Sequence, residues 1–240
     1  MPPLIRATIS ECRSQAGSRA FLLALVLILP CAAFLIGLDA AYIYARIDGE
    51  MLPWQLNLSE EGALAEWFEY ALTLGAAVWM YQLWRRERAP AFAAAAATFL
   101  WLTLDNALAL HEAAGAALAP LLEGIAGERA ADLGELIVFA VAAAAIVVLL
   151  SAAIRASAPG AAARVLCVMV PIAVGAGFGV AMDFVSHIVA DAQAARLGFD
   201  FVEDSGELAM LCLAAACATA VRFNAVASRP AELPRQPAVA

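Results

Sequence analysis

Polar residues are sparse along this chain and gather in short interruptions between long apolar runs. The runs cover about residues 20–45, 64–84, 90–113, 134–155, 164–189 and 203–223. Each reaches the roughly 20 residues that an α-helix needs to cross the hydrocarbon of a bilayer. Between them stand "DGEMLPW", "RRERAP", "APLLEGIAGER", "RASAPG" and "RLGFD", which carry the glycine, proline and charge of turns. Backbone at membrane depth must satisfy its own hydrogen bonds, so the pattern predicts helices and no open strands. The expected fold is all-α, an integral membrane six-helix bundle. Residues 1–19 form an N-terminal segment, 20–223 the membrane domain, and 224–240 a tail expected to be disordered.

Composition agrees with that class. Of 240 residues 64% are hydrophobic and 15% charged, whereas a soluble domain is nearer half apolar. The first run is too long for a signal-peptide core, and Pro30 spoils "LPC" as a lipoprotein signal, so a retained first span is expected. Cys12, Cys31, Cys167, Cys212 and Cys217 show no CxxC or metal-knuckle spacing and read as small apolar packers. The three glycines of "GAGFG" fall inside a span and read as close helix packing rather than a phosphate loop. All fourteen basic residues are arginine, which excludes a lysine Schiff base or lysine nucleophile. A net charge of −8 gives no reason to expect nucleic acid as a partner. The partner to expect is the lipid bilayer, and no protein partner is indicated.

Charge sets an orientation. Eleven arginines fall on the side shared by both termini, and only Arg46, Arg129 and Arg196 on the other. By the positive-inside rule both termini are cytoplasmic, and the far ends of the spans face the periplasm of a bacterial inner membrane. Nearly all intramembrane acids then lie toward that far side: Asp39, Glu66, Glu69, Asp105, Glu112, Asp183, Glu203, Asp204 and Glu207. His111 and His187, the only histidines, sit at the same level.

Helix ends explain part of this layer. Spans 2, 4 and 6 start on the far side, where the dipole and free amides welcome carboxylates. Ser59 before Glu60 and Glu61 reads as an N-cap, and Asp200 with Glu203 as a capping box. Asp204 and Glu135 fit the same account. Trp54, Trp67, Phe68, Tyr70 and Tyr42 read as interface-belt anchors. Spans 3 and 5 run the other way, so Asp105, Glu112 and Asp183 fall toward helix C-termini, which repel negative charge. Asp105 also lies about 10 Å of helix rise below Glu112. A carboxylate at that depth costs several kcal/mol unless it is paired, protonated or hydrated, or holds a cation.

Spacing sharpens the chemistry. Asp105 and Glu112, seven apart, are expected on one face; Asp183 and His187, four apart, on another; Glu203 and Glu207 are also four apart, and Glu66 and Glu69 three. Carboxylate and imidazole at i, i+4 reach one metal ion, as in helical zinc sites. The expected metal ligands are Asp105, His111, Glu112, Asp183, His187 and Glu207, with Glu66, Glu69 and Glu112 as catalytic carboxylates. Carboxylates and imidazole suit a divalent metal, zinc or iron, better than they suit haem.

The set "EEGALAEWFEY", "LDNALALHE", "MDFVSH" and "VEDSGELAML" resembles a loose group of uncharacterised bacterial multi-pass membrane proteins. These have an Asp-containing third helix ending in "HE" and an acidic last helix; Asn106 stands where that pattern implies a second acid. In site chemistry the chain is similar to the membrane ceramidase and adiponectin-receptor superfamily, which hydrolyses lipid amides with intramembrane aspartate, histidine and zinc. Members of that superfamily have seven spans and three histidine ligands, against six and two here. "LDNALA" also resembles a motif of TerC-type proteins implicated in metal handling. The acids at helix C-termini with no basic partner lead us to expect a metal-dependent hydrolase or oxidoreductase acting on a lipid-like or small-molecule substrate. The rival expectations are a proton- or divalent-cation-coupled transporter, which the apolar inner halves of the spans oppose, and a non-catalytic accessory subunit of a membrane complex.

Overall fold

The computed structural model describes residues 2–60, 62–189 and 193–227; the side chains of 180, 183, 184, 186–189 and 193–195 lie outside that description. The chain forms α1 (Pro3–Ala16), α2 (Arg19–Ile47), α3 (Leu64–Glu87), α4 (Pro90–Leu108), α5 (Leu110–Ala126), α6 (Ala130–Arg155), α7 (Pro159–Val189) and α8 (Gln193–Ala227). Single 3₁₀ turns at Trp54–Leu56 and Gly127–Arg129 precede α3 and α6. Among the described residues there is no strand. Five segments among them are long and apolar enough to cross a membrane: Arg19–Ile47, Pro90–Leu108, Leu110–Arg155, Pro159–Gly179 and Arg196–Val226. α3 is not one of the five. It has 24 residues, but Glu66, Glu69, Arg85, Arg86 and Glu87 sit at its two ends.

α8 is the central helix and touches α1, α2, α3 and α7; α3 and α4 pair beside it, and α1 lies across α7 and α8. Met80, Leu83, Phe92, Phe99, Val165, Val168 and Val221 are fully buried among Ala76, Ala95, Ala214, Ala216, Ala218 and Ala220. Alanine is what lets the helices approach. With apolar solvent on the outside there is little hydrophobic drive between spans, and small residues gain van der Waals contact instead. Polar ties fasten the end that holds the termini. Arg164 grips Glu87 with two bonds of 2.8 and 2.6 Å, Arg222 Nε donates to Gln82 at 2.8 Å, and Asn224 donates to Gln15.

α5 and α6 form a separate hairpin. They cross where Gly115 meets Gly134 and Glu135; a Cβ on either glycine would overlap the opposite helix. On α6 only Ala130, Gly134 and Ala153 are buried, so most of its apolar surface faces outward. α6 reaches the rest of the bundle through α4 and, sparsely, α7.

Several expectations change. The run 90–113 is not one helix: it breaks at Ala109, whose backbone is left-handed at φ 47° and ψ 45°. The break bends the chain so that α5 can seat Gly115 on α6. "APLLEGIAGER" is not a loop but the second half of α5, Pro120 included, and a 3₁₀ turn. α8 starts at Gln193, so "RLGFD" is helical and Asp200 lies inside the helix rather than in a capping box. Ser59 is not an N-cap either. Ala63 begins α3 without a side-chain cap, while the Glu66 side chain accepts the Gly62 N–H and Ser59 donates to Asp204. The C-terminal tail expected to be disordered lies outside the described residues from 228 onward.

Candidate functional site

Polar side chains collect at the end of the bundle opposite the termini, in two groups. The first is built on the α4–α5 break. Asp105 stands in the last turn of α4, and only 4% of it is exposed. Had the helix continued, His111 would have pointed about 120° of helix rotation off the Asp105 side. The left-handed residue at Ala109 swings it back, and His111 Nδ1 lies 3.3 Å from Asp105 Oδ2. Its other nitrogen, Nε2, is 3.7 Å from Glu112 Oε1. The ring packs on Phe139 of α6 with centroids 4.4 Å apart. An imidazole thus stands between two carboxylates and against an aromatic wall.

Two expectations about this group are corrected. Asp105 and Glu112 do not share a helix face, because they belong to different helices. Glu112 is not at a helix C-terminus but in the first turn of α5, where the dipole favours it. Asp105 keeps the position argued for it, at the C-terminal end of α4. Its Oδ1 has no hydrogen-bond partner among the described residues, and neither has His111 Nδ1, whose approach to Oδ2 is off the hydrogen-bonding axis. Buried polar atoms in folded proteins are normally bonded, and each exception asks for an explanation.

The second group lies where α2, α3 and α8 meet. Glu69 faces the carboxylates of Glu207, Glu66 and Asp204, and Asp204 in turn faces Asp39. Asp39 is fully buried; one oxygen accepts the Leu58 N–H at 3.0 Å and the other has no partner among the described residues. Glu207 presses on Gly179 of α7, at a site where a Cβ would collide with its carboxylate. Tyr70 links the two groups by donating from its hydroxyl to the Asn106 carbonyl, at 3.1 Å.

The predicted residues therefore divide. Asp105, His111 and Glu112 come together; Glu66, Glu69 and Glu207 come together elsewhere. Asp183 and His187 fall in the last turns of α7, but their side chains lie outside the described residues. Among the described residues no three histidine, cysteine, aspartate or glutamate side chains converge closely enough to hold a metal ion. Sequence reasoning undervalued Asp39, although an acid in "LIGLDAAYIY" carries the same signal as Asp105. It also assigned Tyr70 to the interface and Asp204 to a helix start. It had no means of finding Phe139, whose role depends on the α5–α6 crossing.

A groove runs from the first group along the bundle between α4, α6 and α7. Its volume is about 500 Å³, and Asp105 and Asn106 close one end. The rest of its wall is almost wholly apolar, including Trp101, Phe139, Ile146, Leu150, Leu166 and Met169.

A family model described as a domain of unknown function, DUF8692, matches residues 19–223. No curated protein and no solved structure matches the chain.

Proposed function

We propose that this chain, which belongs to the DUF8692 family, carries a carboxylate–histidine centre at the periplasmic side of a six-span bundle in a bacterial inner membrane. In this reading α3 is the sixth crossing and both termini are cytoplasmic, as the arginine distribution favours. The activity proposed for the centre is hydrolysis or oxidoreduction of a lipid-like substrate, with a divalent zinc or iron ion as cofactor.

One observation carries the proposal: the buried Asp105 beside His111, with Glu112 on the far nitrogen. Two ligand atoms bound to one zinc at about 2.0–2.2 Å stand somewhat over 3 Å apart in a tetrahedral shell. The 3.3 Å between Asp105 Oδ2 and His111 Nδ1 fits that edge. Histidines that bind metal nearly always give their other ring nitrogen to a carboxylate or carbonyl, which fixes tautomer and ring orientation. Glu112 occupies that position, so its proposed role changes from ligand to orienting carboxylate. Asp183 and His187 of α7 are the proposed remaining ligands. A metal ion there would polarise a substrate carbonyl and lower the pKa of a bound water. Elemental analysis of purified protein tests the reading. About one zinc or iron per chain, lost in Asp105→Ala, is expected; protein without metal, and with a melting temperature indifferent to chelators, refutes the metal centre.

A second reading rests on the other group. Asp39, Glu66, Glu69, Asp204 and Glu207 form a string of neighbouring carboxylates suited to handing on protons, or cations that pass without a closed ligand shell. Opposing it, the bundle beyond them is closed by the apolar core around Phe99, Met80 and Val168. Cation uptake into proteoliposomes, abolished by Glu69→Gln, would favour transport.

A further inference from the structure

The groove between α4, α6 and α7 has an unusual combination of wall and end. Its wall is hydrocarbon, and its end is a carboxylate that is 4% exposed with one oxygen unpartnered among the described residues. Lipid tails alone leave that oxygen unsatisfied, and a buried acceptor without a donor costs about 1–3 kcal/mol, more when it is charged. The occupant that satisfies both ends has a long alkyl chain and a headgroup that donates hydrogen bonds.

Dimensions agree. Along α6 the groove runs from Phe139 to Ile154, fifteen residues or about 22 Å of helix rise. That is most of the ~30 Å hydrocarbon thickness of a bilayer, and the volume lies within the usual range of ligand pockets, about 300–1,000 Å³. The third wall is α6, held to the bundle by α4 and sparsely by α7, with Leu136 and Val148 exposed on its outer side. A chain enters sideways from the bilayer between α6 and α7, without crossing the polar end.

We infer that this groove binds one alkyl chain of a membrane amphiphile whose amine or hydroxyl headgroup donates to Asp105, beside Asn106 and His111. The inference rests on the proposed centre at Asp105 and names its substrate class. At the metal-free carboxylate, anionic headgroups, carboxylate or phosphate, are disfavoured because they bring like charge and no donor; a bound divalent ion would offset that order.

The full chain in lipid nanodiscs, with and without prior chelation, is titrated with hexadecylamine, hexadecanol, hexadecanoate and hexadecyl phosphate. The amine and the alcohol should bind at least about tenfold tighter than the two anions, the ratio expected for one hydrogen bond to a charged group. In Asp105→Asn the amine should lose that advantage, because the carboxylate is gone. Ala143→Trp, which fills the groove from α6, should weaken all four; if it does not fold, the headgroup order in wild type and Asp105→Asn still decides. Four probes binding alike to wild type, or an unchanged order in Asp105→Asn, overturns the inference. Chelated protein that ranks the headgroups supports the groove whether or not metal is bound as purified. Protein that carries metal as purified but does not rank them after chelation keeps the metal centre and overturns the inference.

Discussion

Two buried aspartates show how the same residue type serves opposite ends. Asp39 and Asp105 are both nearly inaccessible, and each leaves one oxygen unbonded among the described residues. They differ in the other oxygen. Asp39 accepts the Leu58 N–H and so fastens the loop before α3 to the end of α2. Asp39→Ala should therefore strip a buried amide of its partner and destabilise the fold by about 1–3 kcal/mol, read as a lower melting temperature in detergent. Among the described residues Asp105 accepts no hydrogen bond, and its Oδ2 has only His111 Nδ1 at 3.3 Å beside it. In chelator-treated protein, Asp105→Asn removes an unpaired carboxylate at the unfavourable end of the α4 dipole, and should leave the melting temperature unchanged or raise it by the equivalent of about 1–3 kcal/mol. A residue whose loss stabilises the protein while removing its activity is held for function. A large drop in stability for Asp105→Asn relative to chelator-treated wild type would make it a structural residue after all.

At the scale of elements the decisive feature is the join between α4 and α5. Alanine in the left-handed region costs about 1–2 kcal/mol relative to right-handed backbone, a cost glycine avoids. Ala109→Gly should raise stability by about 1 kcal/mol and keep His111 beside Asp105; Ala109→Val should lower it and open the pair. Both are read by thermal melts, the second also by loss of whatever Asp105 binds. The α5–α6 crossing gives a paired test. Gly134→Ala would drive a methyl into the Gly115 backbone, which cannot move aside as a side chain can. A cost of about 1–3 kcal/mol is expected. Gly124→Ala, with nothing within 4 Å of the new methyl, should be neutral or stabilising by up to ~1 kcal/mol.

This join also marks where the sequence stops being readable. The starts of α2 and α4 were legible to within a residue because apolar runs begin there after arginine-bearing segments, whereas α7 begins at Pro159, five residues before the expected 164 and inside "RASAPG". The acid at 105 was legible because nothing around it could neutralise it. The break at Ala109 was not, since "LALAL" contains neither glycine nor proline and its bend comes from packing of α5 on α6. Pro120 misled in the opposite direction: it reads as a turn, yet α5 runs through it. His111 consequently looked turned away from Asp105, and only the tertiary bend brings them together.

For the whole molecule the open quantity is the number of crossings, and its parity decides the topology. Composition alone marks five segments; five crossings place the two termini on opposite sides of the membrane, and six place them together. α3 falls short because its ends are charged and because Tyr70, Thr73, Tyr81 and Gln82 lower the hydropathy between them. Its middle, from Ala71 to Trp79, is as apolar as its neighbours, and Leu72, Ala76 and Met80 are buried. It also pairs along α4 and packs on α8, both long and apolar enough to cross a membrane, which favours a sixth crossing beside them. Glu66 and Glu69 then sit at one interface and Arg85, Arg86 and Arg88 at the other, the side with the arginine excess. Reporter fusions decide the matter: a reporter active only in the cytoplasm should work when fused at residue 240 and after Arg88, and fail when fused after Gly49. Cytoplasmic signal at Gly49 and at Arg88 alike would remove α3 from the membrane. It would also take Glu66 and Glu69 out of the lipid, leaving Asp105, His111 and the acids of α2 and α8 as the parts of the candidate site on spanning helices.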